Sequence, residues 1–211
     1  MQSFLWYTEP KRKAAGEGFP AGGKGKGRKT MKLLVASDLH GSAPCCEAVL
    51  NAFAREQADA LVLLGDLLYH GPRNPLPEGY DPKRCYEMLN AFSGRILCAR
   101  GNCDAAIDTA VLDFPVTAES LLFQLGGRTV FATHGDLWNE EHPPRLRPGD
   151  ILLTGHFHTS VCTEHPSFVY MNPGSPALPK DEGRRGYLVL TEEEAVWKDL
   201  SGTVYRRYRL G

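Results

Sequence analysis

With 211 residues, 42% of them apolar, and a formal net charge of −1, the chain is long enough for one well-cored domain and has no overall charge that calls for a polyionic partner. No apolar run approaches the roughly 20 residues that span a bilayer, and the N-terminus lacks the basic start, apolar stretch and small-residue cleavage site of a secretory signal. A soluble, cytoplasmic protein with no membrane partner is the expectation.

Residues 1–30 carry seven basic residues (Lys11, Arg12, Lys13, Lys24, Lys26, Arg28, Lys29) against Glu9 and Glu17, whereas residues 31–211 hold 17 basic and 23 acidic ones. A basic arm can contact nucleic acid. This stretch is rich in Gly and Lys and has no apolar periodicity, so a disordered solvated extension is expected and nucleic acid is not an expected partner. Gly22–Thr30 (GGKGKGRKT) imitates a phosphate-binding loop, but each Gly-Lys pair is followed by Gly and no strand precedes it, which excludes that motif. The folded domain is expected over 31–211, with Met31 a candidate alternative start.

Lys32–Ser37 is short, continuous and apolar, as a buried strand should be. Ser42 and Pro44 then open a helix whose stripe is Cys46, Val49, Leu50 and Phe53. Ala60–Leu64 is a second strand, followed by the Gly- and Pro-rich loop His70–Tyr80. Asp81 and Pro82 form a cap and first turn for a helix bearing Cys85, Met88, Leu89 and Phe92, and Arg95–Ala99 is a third strand. This alternation predicts parallel strands with right-handed helical crossovers.

The second half changes character. Leu121–Leu125 and Arg128–Thr133 flank Gly126-Gly127 as a hairpin. Further strands are expected at Ile151–Thr154, Ser160–Thr163, Phe168–Met171, Tyr187–Leu190, Ala195–Lys198 and Val204–Arg209. The expected fold is α/β: two mixed or antiparallel sheets face to face, with helices outside.

Five groups of metal-capable residues punctuate this order: Asp38-Leu39-His40, Gly65-Asp66, Gly101-Asn102-Cys103-Asp104, His134-Gly135 and Gly155-His156-Phe157-His158. Each alone reads as an ordinary turn. Together they are informative, because every one follows an apolar strand, where open α/β sheets place their ligand sites. The seven candidate metal ligands are Asp38, His40, Asp66, Asn102, His134, His156 and His158. Carboxylate, imidazole and amide oxygen without thiolate suit manganese, iron, zinc or nickel. Seven ligands exceed the needs of one tetrahedral ion, so two divalent ions sharing a carboxylate are expected. Such a pair, about 4 Å apart, suits in-line attack at phosphorus by a bridging hydroxide. Cysteines 45, 46, 85, 98, 103 and 162 show no metal-finger spacing and read as free thiols of a reducing compartment.

The ordered set D-x-H, G-D, G-N-x-D, H-G and G-H-x-H resembles that of the calcineurin-like metallophosphoesterases, over essentially all of 31–211. More narrowly, ASDLHGS, LGDLLYHGPRNPLPEGY, RGNCD and MNPGS are similar to the YfcE-type bacterial phosphodiesterases. The resemblance implies a four-layer α/β/β/α sandwich and a dinuclear site, commonly with manganese. It assigns Asp38, His40 and His158 to one ion, Asn102, His134 and His156 to the other, and makes Asp66 the bridge. It implies metal-dependent hydrolysis of a small phosphodiester; a phosphomonoester substrate, or a non-catalytic role like that of a retromer subunit of this fold, is the alternative.

Asn102, Cys103 and Asp104 are the candidate catalytic residues. Many relatives carry His where this chain has Cys103, and a thiol with an ordinary pKa of about 8.5 is a weaker donor and poorer acid. Relatives also often read His-Gly-His where this chain has His134-Gly135-Asp136. Arg73 is the candidate substrate contact, since guanidinium matches phosphate oxygens, and Asn172–Ser175 is expected to be a supporting turn. A homo-oligomer stays open.

Overall fold

The computed structural model describes residues 30–180, 182 and 184–210. The expected basic extension, apart from Thr30, therefore lies outside the described residues. Eleven strands and two α-helices follow in chain order: β1 (Leu33–Ala36), α1 (Ala43–Glu56), β2 (Ala60–Leu63), α2 (Pro82–Asn90), β3 (Ile96–Cys98), β4 (Ser120–Leu125), β5 (Arg128–Thr133), β6 (Ile151–Leu153), β7 (Ser160–His165), β8 (Phe168–Pro173), β9 (Gly186–Leu190), β10 (Glu194–Asp199) and β11 (Val204–Arg209). They form a six-stranded sheet in the order β11-β10-β9-β1-β2-β3 and a five-stranded sheet in the order β4-β5-β6-β8-β7.

Both sheets are mixed, as the two halves of the sequence imply. The crossovers through α1 and α2 make β1, β2 and β3 parallel, whereas β9 returns antiparallel beside β1. In the second sheet β5, β6 and β8 run parallel between antiparallel outer strands. Strand β1 is apolar throughout because both its faces are covered. Leu33 and Val35 meet Val130, Ile151, Leu153 and Met171 of the other sheet, and Leu34 and Ala36 face Val49 and Phe53 of α1.

The start of α2 is as expected, with Asp81 accepting from the Arg84 backbone N–H at 3.0 Å. Ser42 precedes α1 without capping it; its hydroxyl donates to the Glu78 carbonyl at 2.7 Å and ties the helix start to the loop before α2.

The sandwich of two mixed sheets stands, with one refinement to its layers. Both α-helices cover the first sheet. The outer face of the second sheet is covered by the connection from His134 to Asp150, which contains no helix: Leu146 packs on Leu152, Phe168 and Tyr170, and Trp138 meets Phe131 edge-on at 6.5 Å. Pro143, Pro144, Pro148 and Gly149 within this connection exclude a regular helix. No helix among the described residues is long and apolar enough to cross a membrane.

Candidate metal centre

The parallel strands of both sheets end at one edge, and the residues following them converge there. His40 Nε2 lies 3.1 Å from His158 Nε2 and 3.7 Å from Asp38 Oδ1. On the other side, His134 Nε2 is 2.9 Å from Asn102 Oδ1 and 3.1 Å from His156 Nδ1. Asp66 Oδ2 stands between these groups, 3.7 Å from His40 Nε2 and 3.4 Å from His134 Nε2. All seven candidate ligands thus meet in one cluster.

The backbone is held in an unfavourable conformation to achieve this. Asp38, His40, Asp66, His156 and His158 all have φ between 47° and 66°, in the left-handed region, and among the described residues only Gln57 and Glu182 are other non-glycine cases. Each such residue costs roughly 1–2 kcal/mol, so surrounding bonds must enforce the shape. Pairing continues beyond β1 and β2 through Asp38 N–H to Gly65 O at 3.1 Å and His40 N–H to Asp66 O at 2.9 Å. The Phe157 N–H donates to Gly155 O at 2.7 Å, closing a three-residue turn around His156. Gly155 is needed because a Cβ there would collide with Ser37 Oγ. The Asn172–Ser175 turn supports the same loops, with Asn172 Nδ2 donating to Gly155 O at 2.7 Å and Ser175 Oγ to Asp38 O at 2.8 Å.

Three imidazoles have their outer nitrogens committed. Nδ1 of His40, His134 and His158 lies 2.8, 2.7 and 2.8 Å from the carbonyls of Tyr69, Leu64 and Leu178. An Nδ1–H donating to a carbonyl leaves Nε2 unprotonated, with its lone pair aimed into the cluster, the arrangement metal-binding histidines need. Facing lone pairs 3.1 Å apart repel unless a cation or proton lies between them. Asp38 Oδ1 is buried there without a hydrogen-bond partner. The donor set therefore fits divalent cations.

In the protein alone, protons feel the same field. Burial opposes ionisation of Asp38, yet His158 and His40 hold its carboxyl well below the usual range. Burial likewise favours neutral His134, but Asp66 and Asp38 push its pKa up to about 9. Burial and the neighbouring His134 lower that of His156.

Asp104, a candidate catalytic residue by sequence, is buried among backbone donors. Its buried carboxylate accepts the backbone N–H groups of Asp66 (2.9 Å), Leu67 (2.8 Å) and Gly101 (2.7 Å), which uses its oxygens to fix the loops carrying Asp66 and Asn102. The sulfur of Cys103 lies within 4.8 Å of ligand atoms of His40 and Asp66. Burial and the carboxylate of Asp66 push its pKa up to about 12. Its Sγ accepts from Asn102 Nδ2 at 3.3 Å, which turns the amide oxygen toward His134. Cys103→Ala is accordingly expected to lower kcat/KM on an activated p-nitrophenyl diester by less than about tenfold, because that leaving group needs no proton. A thousandfold loss in steady-state kinetics would give the sulfur a direct chemical role.

The cluster opens on a cleft of about 850 Å³. Arg73 is exposed on its wall, as are Arg100 and Lys180, which the sequence reading missed. Arg100 directly precedes a metal-capable group and was discoverable on that ground; nothing local marks Lys180. Tyr69 and Phe157 add half-exposed rings. Asp136 is exposed and outside this wall, acting on His156 only through its charge.

Imidazoles and carboxylates gathered at the joined strand ends of a double-sheet sandwich fit a metal-dependent hydrolase. Comparison with known proteins makes it specific. A family model described as the calcineurin-like phosphoesterase superfamily domain matches residues 31–195. "Phosphodiesterase YfcE" of Escherichia coli K12 is 43% identical over 163 residues, covering 77% of this chain and 89% of that protein. "Probable metallophosphoesterase YsnB" of Bacillus subtilis is 26% identical over 171 residues, covering 77% and 85%. The solved structure of the E. coli phosphoesterase YfcE superposes with a TM-score of 0.83 at 39% identity, over 86% of this chain and all of that one. Vacuolar protein sorting 29 of Cryptosporidium parvum, at 19% identity and a TM-score of 0.58 over 85% and 97% of the two chains, shares the fold. The chain belongs to the calcineurin-like phosphoesterase superfamily. It is a hydrolase of phosphoester bonds, and its clustered carboxylates and imidazoles could hold divalent metal.

Proposed function

We propose that the chain is a phosphodiesterase working with two divalent ions, manganese being the first choice and iron, zinc and nickel the alternatives. The observation that carries this reading is the convergence of seven residues with oxygen and nitrogen donors, Asp66 among them, with buried Asp38 Oδ1 facing His158 Nε2 at 3.2 Å and making no hydrogen bond. Asp38, His40 and His158 would hold one ion, and Asn102, His134 and His156 the other, with Asp66 contributing to both. When bound, the ions supply an activated water and positive charge for the phosphoryl oxygens. The chain's own residues do the remaining work. The carbonyls of Tyr69, Leu64 and Leu178 fix the imidazole tautomers, Asp104 fixes Asp66, and Arg73 orients the substrate on the cleft wall. The name of the E. coli relative supports a diester over a monoester. The six unpaired cysteines support a reducing compartment such as the cytoplasm.

The test is chelation of the purified full chain followed by addition of each metal, with turnover measured on bis-p-nitrophenyl phosphate and p-nitrophenyl phosphate. Chelation is expected to abolish activity and manganese to restore it, with the diester preferred by about tenfold or more. Metal-independent turnover, or a protein that binds no divalent ion, would sink the proposal.

A further inference from the structure

The cleft's charges are one-sided. Outside the metal-ligand cluster its charged residues are Arg73, Arg100, Lys180 and Asp104. Asp104 is buried, with its oxygens on three backbone N–H groups, so it does not neutralise the wall. Arg73 and Lys180 are exposed and have no hydrogen-bonding or ionic side-chain partner among the described residues. Arg100, which also lines the cleft, donates from Nε to the Asp104 carbonyl at 3.3 Å, and its terminal nitrogens have no hydrogen-bond or ionic partner among the described residues. Residues 31–211 hold 23 acidic against 17 basic residues, so three unopposed cations in one concavity run against the composition around them.

The scissile group of a phosphodiester carries one negative charge, which a two-metal centre itself neutralises. Three further cations on the wall then have no counterpart in a diester with uncharged arms. We infer that the substrate is an oligoanionic phosphodiester: one ester arm bears a further phosphate or comparable anion, which Arg73, Arg100 and Lys180 receive beside the scissile group. The guanidinium forks of Arg73 and Arg100 suit phosphate oxygens bidentately, and Lys180 adds a point charge. Low-dielectric cleft walls focus the field of all three on an approaching anion. This inference rests on the phosphodiesterase reading and deepens it by naming the substrate class.

Two probes isolate the wall from the chemistry: thymidine 5′-(p-nitrophenyl phosphate), and the same ester carrying a 3′-phosphate. The bond broken and the leaving group are identical, and only the second anion differs. With the manganese-loaded full chain, the 3′-phosphate is expected to raise kcat/KM at least about tenfold, mainly through KM. This advantage should shrink as salt rises. Arg100→Gln and Lys180→Gln, alone and combined, are expected to bring the ratio of the two kcat/KM values toward one. Because the result is a ratio within one preparation, partial unfolding does not imitate it.

A ratio near one in the unaltered protein overturns the inference, as does a ratio that survives the double substitution. Turnover of bis-p-nitrophenyl phosphate with neither thymidine ester accepted also overturns it, while leaving the phosphodiesterase reading in place. Failure on all three substrates with every metal sinks that reading instead.

Discussion

Asp66→Ala is expected to strip bound metal from the protein and lower diester turnover by at least about a thousandfold, the scale of losing a principal electrostatic element of a site. Each other candidate ligand lies mainly in one half of the cluster. Asp66 Oδ2 stands between the halves, 3.7 Å from His40 Nε2 and 3.4 Å from His134 Nε2, while Oδ1 accepts the Cys103 N–H at 2.8 Å. Its removal takes away a shared negative charge and leaves four inward-facing imidazoles with only Asp38 to offset a cation. It also frees the segment that carries Asn102. Asp66→Asn is the informative companion, since it can preserve the Cys103 bond while losing the charge; an equal loss there assigns the effect to electrostatics. Elemental analysis of the purified variants, read beside kcat, is the measurement. A variant that keeps near-native metal content and turnover within tenfold of wild type would show that Asp66 does not bridge.

Much of this was legible in the sequence for a physical reason. Strands β1, β2 and β6 are short and covered on both faces, so they appear as unbroken apolar runs, LLVA, ALVL and ILL. The candidate ligands follow immediately because a buried strand end is where a sheet can aim several side chains at one point. Glycine beside them marks where the chain must turn without a Cβ, as at Gly155 against Ser37.

What could not be read was whatever depends on the assembled fold. The backbone bonds of Asp104 are one example, because an acid beside a candidate ligand reads the same in sequence whether it faces substrate or backbone. Lys180 is an ordinary surface cation until the loops bring it to the cleft. The left-handed backbone of Asp38, His40, Asp66, His156 and His158 also left no trace, since Asp and His carry no local requirement for it. Nor did the apolar pattern distinguish a helical outer layer from the Pro-rich connection that packs on the second sheet.

Asp104→Ala tests the three backbone bonds of that carboxylate, and it separates a positioning residue from a catalytic one. The substitution leaves the backbone N–H groups of Asp66, Leu67 and Gly101 without their acceptor in a buried place. Each unsatisfied group costs about 1–3 kcal/mol. Partial relaxation and entering water recover some of this, so a total near 3–5 kcal/mol is expected in urea denaturation of the metal-free protein. The effect extends to the site because two of the three N–H groups belong to Asp66 and to Gly101, the residue before Asn102. Metal affinity and kcat should fall by about 10- to 100-fold, the range for groups that support ligands without being ligands. High metal concentration should then recover most of the lost turnover, since the ligands themselves are intact and binding stabilises the native loops by mass action. Asp104→Asn, which keeps one acceptor oxygen, should fall between wild type and Ala in both stability and metal affinity. If kcat at saturating metal stays a thousandfold down while stability is unchanged, Asp104 acts on the reacting atoms after all, and its three backbone bonds are incidental to that role.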